Sequence, residues 1–197
     1  MTTRRTCEHC DGPMPITARR HARFCKPACR AAAHRAARTI PEELTTRPRW
    51  VRRTSRKVPV TVDGAAASST DPASWSRYRD ADRSTAGAGL GFVLDGDGVV
   101  CLDLDHCLDT DGTLAGWARN ILDAVAGSTW VEVSQGGDGL HVWGHGRLPG
   151  DAGRRLQLGD GSVEVYATGR YIAVTGQTFG DTPRRLGDLQ HVIDSLL

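Results

Sequence analysis

In the stretch Val99-Val100-Cys101-Leu102-Asp103-Leu104-Asp105-His106, two acidic residues stand one position apart inside an apolar, β-prone run. Successive side chains of a strand alternate between its faces, so Asp103 and Asp105 share one face while Leu102 and Leu104 point to the other. Two neighbouring carboxylates repel each other and resist burial unless a bound cation offsets both effects. Carboxylate oxygens are hard ligands that suit Mg²⁺ or Mn²⁺, so the pair predicts a metal site.

The segments around this run alternate between strand and helix patterns. Gly89–Leu94 is typical of a strand, and a tight turn at 95–98 predicts that it forms a β-hairpin with the acidic strand at 99–105. Hairpins covered by one or two helices indicate an α+β fold rather than a doubly wound sheet. The other predicted elements are a strand around Trp50, a helix at 71–78 capped by Asp71, a helix at 113–126 with one apolar face, strands near 129–134, 139–144, 162–167 and 170–175, and a short helix at 185–196.

Positive charge is concentrated at the start of the chain. Residues 1–57 contain 15 Lys and Arg against 4 Asp and Glu, a net charge of +11, whereas the remaining residues contain 10 against 19, a net charge of −9. A basic arm joined to an acidic body indicates that the arm binds a polyanion, and a solvated basic tail is the alternative. No apolar run approaches the roughly 20 residues that span a bilayer, and no secretory signal is evident, so we expect a cytoplasmic protein without membrane contact.

Four of the six cysteines fall within the first 30 residues. Cys7 and Cys10 form a C-x2-C pair, and Cys25 and Cys29 form a C-x3-C pair fourteen residues later. This spacing lets four thiolates close a tetrahedral Zn²⁺ site, whereas free or disulfide-bonded thiols are the alternative. A segment this short and this poor in large apolar residues lacks a core of its own, so the sequence predicts a structural zinc module at residues 1–40.

An alanine-rich segment with arginines at helical intervals follows the second cysteine pair and predicts a short basic helix. Phosphate contacts from Arg30, Arg35 and Arg38 would give this helix a salt-dependent affinity for DNA. Prolines and arginines at 41–57 indicate a basic linker, which runs into the first strand of a main domain at 47–197.

Three further features contain residue types that can act together with the acidic pair. Ser134-Gln-Gly-Gly-Asp-Gly-Leu-His141 is a glycine-rich turn that places a histidine on a strand, and its backbone N–H groups, near Gly137 and Gly139, can bind phosphate oxygens together with the imidazole. Glu164 can supply a third carboxylate, and Arg170 can supply a counter-charge for phosphate. Each feature alone is also typical of ordinary structure, because strand histidines and glycine turns are common.

The order of these motifs resembles that of the bifunctional primase/polymerase domain of the archaeo-eukaryotic primase superfamily, which phages and plasmids carry. The similarity covers roughly residues 47–180 and includes the segments that begin at Arg49 and Lys57. Such domains have a D-x-D strand, a serine- and glycine-rich turn ending in histidine, a third acid before an aromatic residue, and an R-Y-x-x-V-T-G-like strand. One departure is Gly136, which stands where the turn commonly has a second serine.

The resemblance implies a primase/polymerase-like mixed sheet with covering helices and an enzyme of DNA replication in a phage or plasmid context. It implies template-directed nucleotidyl transfer by a DNA primase or polymerase, with NTPs or dNTPs as substrates and single-stranded DNA as template. Asp103, Asp105 and Glu164 would hold two Mg²⁺ or Mn²⁺ ions, and His141 would bind the nucleotide phosphates. The other implied nucleotide-binding residues are Ser134, Gly137, Gly139, Arg170 and Lys57.

Other functions fit the sequence less well. A non-catalytic replication-initiation or DNA-binding protein would keep the fold and the zinc module, but it would not need three mutually repelling carboxylates. A haloacid-dehalogenase-type phosphatase needs a lysine downstream of the D-x-D strand, and both lysines, Lys26 and Lys57, lie upstream. The acids Asp109 and Asp111 lack the spacing of an EF-hand. No phosphate loop of the G-x-x-x-x-G-K-[ST] type is present, so we expect a replicative helicase to act in trans.

Overall fold

The computed structural model describes residues 5–7, 10, 12–19, 22–30, 40–150 and 153–197. The chain forms two compact units, Met1–Thr39 and Ile40–Leu197. The predicted boundaries of a zinc module at 1–40, a linker at 41–57 and a main domain at 47–197 stay predictions. None of the helices in the described ranges is long and apolar enough to cross a membrane.

The second unit combines two sheets with short helices, which confirms the predicted α+β class. The first sheet has the strand order β2-β1-β3-β9 and is antiparallel throughout. The second sheet has the order β10-β6-β4-β8-β7, with β5 paired to β6, and only its β10–β6 pair is parallel. The strands are β1 Trp50–Arg53, β2 Pro59–Val60, β3 Gly89–Asp95, β4 Val99–Asp105, β5 Val131–Val133, β6 Leu140–His145, β7 Arg154–Leu158, β8 Gly161–Tyr166, β9 Thr168–Val174 and β10 Gly187–Asp188.

Four α-helices accompany these strands in the described part of the second unit. They are α1 Glu42–Thr45, α2 Tyr78–Arg83, α3 Gly116–Ala124 and α4 Gln190–Leu196, and a short 3-10 helix covers Pro72–Ser74. The apolar face predicted for the third helix is confirmed, because Ala118, Ile121 and Val125 are buried against the second sheet. The helix itself is shorter than the predicted 113–126.

The predicted hairpin of β3 and β4 is wrong, because these consecutive strands belong to different sheets. β3 pairs with β1 and β9, whereas β4 pairs with β6 and β8. The turn between them passes through Gly96 and Gly98, whose φ angles of +75° and +94° suit glycine. Most residues of both strands are buried, so each strand is covered on both faces and has two neighbours of its own. The same step from one sheet to the other recurs between β8 and β9.

The predicted helix at 71–78 begins as expected but ends early. The Asp71 carboxylate accepts a hydrogen bond from the Ala73 N–H at 3.0 Å, as a helix cap does. The backbone is extended at Trp75, where the indole N–H donates to the Ser68 carbonyl. The next residue, Ser76, then forms backbone hydrogen bonds with Trp50 in both directions. These tertiary contacts hold the chain extended before α2 begins.

The strand β4 separates two hydrophobic clusters. Its even-numbered residues Val100, Leu102 and Leu104 pack with α3 and α4 on one face of the second sheet. Its odd-numbered residues Val99 and Cys101 face an aromatic cluster that both sheets share, formed by Trp50, Phe92, Trp130 and Trp143. The two acids of the strand continue the odd-numbered face, so they lie where this shared cluster ends.

Candidate active site and cysteine cluster

A row of polar side chains crosses four neighbouring strands of the second sheet. Asp103 on β4 lies directly opposite Glu164 on β8 and His141 on β6, and His141 lies opposite Glu132 on β5. Directly opposed residues of antiparallel strands place their side chains on the same face of the sheet. The fold therefore brings together Asp103, Glu164 and His141, which the sequence analysis selected from distant segments.

Two further residues extend this polar row. Arg155 on β7 lies opposite Glu164, and its NH1 atom is 3.2 Å from Glu164 Oε1. Asp105 is partly exposed on the same face as Asp103, two residues farther along β4, and it lies opposite the buried Ser162. The row thus combines three carboxylates of the predicted metal site with one cationic side chain at its outer end.

His141 is almost completely buried, with 5% of its side chain exposed. Its Nδ1 atom is 3.0 Å from Glu132 Oε1, and its Nε2 atom is 3.6 Å from Asp103 Oδ1. Burial alone lowers the pKa of His141, but the hydrogen bond and the charge of Glu132, together with the charge of Asp103, raise that pKa above its usual value. The two contacts hold the imidazole in one orientation, in which Nδ1 faces Glu132 and Nε2 faces Asp103.

The electrostatics of Asp103 favour a bound cation. Burial raises the pKa of Asp103; the charges of Asp105 and Glu164 raise it further, and those of His141 and Lys57 oppose this rise. The net rise of the pKa means that the surrounding protein does not fully balance the negative charge of the ionised Asp103 carboxylate. Hard carboxylate oxygens in such a place fit a divalent cation such as Mg²⁺.

The three carboxylates do not form a closed metal cage. Among the described residues, the four N-terminal cysteines are the one group of possible ligands whose atoms all lie within 4.8 Å of one another. Glu164 has other partners, because Arg155 and the hydroxyl of Tyr166 both contact its carboxylate. The residues thus fit a cation by donor type and by shared face, and an ion would draw their oxygens closer together.

The glycine-rich turn before β6 packs against the end of β4. The Ser134 N–H donates to the Gly139 carbonyl at 2.8 Å, and the Gly137 N–H donates to the Ser134 carbonyl at 3.1 Å. Gly137 has a φ of +86°, which favours glycine. A Cβ atom at Gly139 would lie 2.7 Å from the Leu104 carbonyl oxygen, so glycine is needed where the turn touches β4.

Lys57 and Arg170 are the two predicted cationic residues of the site, and each relates to the polar row differently. The ammonium of Lys57 interacts electrostatically with both Asp103 and His141, and its backbone carbonyl accepts a hydrogen bond from Tyr171. Arg170 is exposed, and its guanidinium lies 4.8 Å from the centre of the Tyr166 ring. Because the Tyr166 hydroxyl donates to Glu164, one aromatic side chain links Arg170 to the carboxylates.

Sequence reasoning missed Glu132, Arg155 and Tyr166. Glu132 stands between two valines, which is the same apolar and acidic alternation that singled out Asp103. That pattern was the available signal, but a lone acid on a three-residue strand carries little weight without its partners. Arg155 lies on β7, a strand that the sequence analysis did not predict.

The four N-terminal cysteines converge on one point in the first unit. The Cys10 and Cys25 sulfurs are 3.7 Å apart, and the Cys25 and Cys29 sulfurs are 3.5 Å apart. A tetrahedron with metal–sulfur bonds of about 2.3 Å has edges of about 3.8 Å, whereas a disulfide needs about 2.05 Å. The Cys25 N–H also donates to the Cys7 sulfur at 3.3 Å. The cluster can therefore hold a metal ion, and its spacing does not fit disulfides.

Basic side chains surround a groove next to this cluster. The groove has a volume of about 700 Å³, and its described lining includes Arg19, Arg23, Lys26, Arg30 and Phe24. The predicted basic helix begins here, since residues 27–30 are helical. Two of its predicted DNA contacts, Arg35 and Arg38, lie outside the described residues.

The packing of the glycine turn gives a prediction for Gly139. We expect Gly139→Ala to lower the free energy of unfolding by about 1–3 kcal/mol, because the added methyl group overlaps a backbone oxygen that cannot move away freely. Denaturant unfolding of the whole chain measures this change. Gly116→Ala is the control, since a Cβ atom there meets nothing within 4 Å and we expect a change below about 1 kcal/mol. Equal stabilities of the two variants would contradict the tight contact.

Comparison with known proteins identifies the family of the chain. Residues 17–189 match the family model for Prim-Pol, described as the N-terminal domain of bifunctional DNA primase/polymerase. Over 140 residues the chain is 40% identical to the DNA Primase-polymerase of Nitratiruptor phage NrS-1, an alignment that covers 66% of this chain and 19% of the phage protein. The chain thus spans about a fifth of the length of that relative. It belongs to the Prim-Pol family, as the order of its motifs predicted.

Proposed function

We propose that the chain catalyses template-directed nucleotidyl transfer, as a DNA primase, a DNA polymerase or both. In this reaction a 3′-hydroxyl attacks the α-phosphorus of an incoming nucleoside triphosphate, and pyrophosphate leaves. The observation that carries the proposal is the direct opposition of Glu164, Asp103 and His141 on three adjacent strands. Family membership and the name of the phage relative support the same reaction.

The residues of the row have distinct tasks in this proposal. Asp103, Asp105 and Glu164 would hold two Mg²⁺ or Mn²⁺ ions, which when bound neutralise the triphosphate and activate the attacking hydroxyl. His141 faces the carboxylates with Nε2 and binds phosphate oxygens at that atom. The polar row lies where the sheet's buried aromatic cluster ends, so its rigid strands position the reacting groups before substrate binds.

Several residues around the row would bind the nucleotide. The Lys57 ammonium interacts electrostatically with Asp103 and His141, and it would supply positive charge for the triphosphate. Arg170 reaches the site across the Tyr166 ring. The turn residues Ser134, Gly137 and Gly139 would line the edge of the site. The Ser134 and Gly137 N–H groups already donate within the turn, so the Ser134 hydroxyl is the donor that this turn would offer to phosphate.

We further propose that the substrates are NTPs or dNTPs on a single-stranded DNA template, in cytoplasmic DNA replication of the phage or plasmid type. A replicative helicase would act in trans. The name of the phage relative, a DNA Primase-polymerase, supports a template of DNA.

Replacement of Asp103 tests the proposed reaction. We expect Asp103→Asn to reduce nucleotide incorporation on a primed or unprimed single-stranded template by at least about a hundredfold, because a central carboxylate of the site is lost. Stability at neutral pH should not fall, since a carboxylate whose pKa is raised in the folded state disfavours folding while it is ionised. Incorporation of labelled nucleotides with Mg²⁺ or Mn²⁺ and a thermal melt measure the two effects.

The control for this experiment is Asp123→Asn, because Asp123 is exposed on α3, which packs on the opposite face of the second sheet. It should keep full activity. Incorporation by purified Asp103→Asn at the wild-type rate would overturn the proposal. An inactive wild type that still binds DNA would favour the alternative, a non-catalytic replication-initiation or DNA-binding protein.

We propose that the cysteine cluster holds one structural Zn²⁺ ion. Three observations support zinc: four sulfurs lie within 4.8 Å, the sulfur separations match a tetrahedron, and a backbone N–H donates to Cys7. The hydrogen bond with Cys29, burial and the neighbouring thiols raise the pKa of Cys25 to about 12, which is the cost of crowding four sulfurs without a cation. The apolar residues of the unit are few, so metal binding would supply most of its folding free energy.

Metal analysis tests the zinc proposal. The purified chain should contain about one zinc ion per molecule, released by thiol modification, and Cys25→Ser should lower that content to well below one. Cys107→Ala is the matched control, because Cys107 is a buried thiol of the second unit and should leave the zinc content unchanged. A chain without metal, or with disulfides among the four cysteines, would contradict the proposal.

We propose that the groove beside the cluster contacts the phosphates of template DNA. Four cationic side chains, Arg19, Arg23, Lys26 and Arg30, belong to its described lining, and a groove of this charge attracts a polyanion. Arg30 belongs to this lining, which supports its predicted role in DNA binding.

The salt dependence of DNA binding tests the groove. For a fluorescent oligonucleotide of single-stranded DNA, we expect the double variant Lys26→Gln and Arg30→Gln to flatten the plot of log affinity against log salt by about 1.4, because two phosphate contacts are lost. A double variant on α2, Arg79→Gln and Arg83→Gln, removes the same charge from exposed positions of the second unit and should leave the slope unchanged. Equal slopes for all three proteins would limit the groove to a structural or protein-binding role.

A further inference from the structure

Glu132 is a buried carboxylate with no assigned role in the proposed reaction. Its side chain is fully buried, and in the described part of the chain no lysine or arginine pairs with it. Burying a carboxylate without a cationic partner is costly unless hydrogen bonds replace the lost water. Its position at the inner end of the polar row, directly opposite His141, therefore needs an explanation.

Hydrogen bonds from two parts of the fold replace that water. Glu132 Oε1 accepts from His141 Nδ1 at 3.0 Å and from Trp143 Nε1 at 3.1 Å, and both donors belong to β6. Glu132 Oε2 accepts from the backbone N–H groups of Thr175 at 2.9 Å and Gly176 at 2.8 Å, which follow β9. The Thr175 hydroxyl lies 3.0 Å from the same oxygen. One carboxylate thus joins the second sheet to the segment that leaves the first sheet.

This arrangement fixes the proton of His141. A carboxylate can only accept hydrogen bonds, so Nδ1 must carry a proton. The ring cannot turn to offer its other nitrogen without breaking this bond in a site where 5% of the side chain is exposed. Nε2 is therefore the atom that faces Asp103 and the space for substrate.

We propose that Glu132 is a positioning residue for His141, which it holds with Nδ1 protonated so that Nε2 meets the phosphates of the incoming nucleotide. The inference rests on the proposed function through the role of His141. Partners that orient metal-binding histidines typically change metal affinity or activity by about 10–100-fold when they are replaced, and we expect a loss of similar size for a phosphate-binding histidine. A carboxylate that merely clamps the two sheets would instead act in the same way whether or not His141 is present.

The variant Glu132→Gln separates these two roles. Of the four N–H groups around the carboxylate, only His141 Nδ1 can change from donor to acceptor. The NH₂ group of a glutamine at this position should therefore turn toward His141 and move the imidazole proton from Nδ1 to Nε2. Nitrogen-15 spectra of histidine-labelled protein in mildly alkaline solution report this change, and the spectrum of His141→Gln assigns the signal.

Nucleotide affinity gives the second readout. In the presence of Mg²⁺ we expect Glu132→Gln to weaken binding of a fluorescent nucleoside triphosphate by about tenfold or more. In a chain that already carries His141→Gln, the same change should weaken binding by no more than about twofold, because the residue through which Glu132 acts is absent. Equal losses in the two backgrounds would overturn the proposal in favour of a simple clamp.

The control is a second glutamate–histidine pair, in which the glutamate lies on α1 and the histidine lies on β6. Glu43 Oε1 is 3.1 Å from Nε2 of His145, which lies at the far end of β6. Glu43→Gln should change neither the His141 signal nor nucleotide affinity. Thr175→Val removes a hydroxyl that contacts Glu132 Oε2 and the Val133 carbonyl but leaves the His141 side of Glu132 intact, so it should lower the melting temperature without moving the His141 proton.

Two measurements do not depend on the folding of Glu132→Gln or on the proposed reaction. In the wild type, Nδ1 of His141 must give the signal of a protonated nitrogen, and an unprotonated Nδ1 would overturn the inference by itself. Glu132→Asp keeps a carboxylate acceptor and should retain the wild-type signal. If the wild type binds no nucleotide, the proposed function falls, while the spectra still decide whether Glu132 fixes the proton of His141.

Discussion

The structure depends on the register of one strand, β4. Its odd-numbered residues first pack into the aromatic cluster between the sheets and then become Asp103 and Asp105. A shift of one residue would turn Leu102 and Leu104 onto that face and point both acids into the apolar layer under α3 and α4. Burial on both sides therefore specifies the register more strongly than any single contact. The neighbouring strands then receive their positions from β4, and with them the cross-strand partners of Asp103.

The polar row solves the problem that this register creates. Three carboxylates at neighbouring positions repel one another. Two cross-strand partners reduce this repulsion, because His141 lies beside Asp103 and Arg155 lies beside Glu164. These partners do not neutralise the site completely, since the pKa of Asp103 remains raised. The remaining deficit is the physical reason for expecting a cation. These acids need no flexible loop to bring them together, because strand pairing already aligns them.

The sequence predicted what is encoded locally and missed what depends on distant partners. The acidic strand has the bounds expected from its alternation, 99–105, because that pattern is a property of the strand itself. The predicted hairpin was wrong, because the sequence of a strand that is buried on both faces does not indicate which other strands it pairs with. The helix through Trp75 ends early, because Trp50 draws the following residue into a backbone pair. Glu132 was missed for the same reason, since its importance lies in four donors from two other segments.

The two units differ in the size of their apolar cores, and this difference is related to the uneven charge of the chain. The second unit has an extensive apolar core and can bury a row of acids inside it. Among its described residues, the first unit has a small apolar cluster around Cys7, Met14 and Cys29, together with four sulfurs that can bind an ion. If a metal ion stabilises this unit as proposed, few side chains are needed inside it, and its surface can carry arginine and lysine. Positive charge can therefore concentrate in the unit with the smaller core, while the row of acids lies in the unit whose paired strands hold it rigidly.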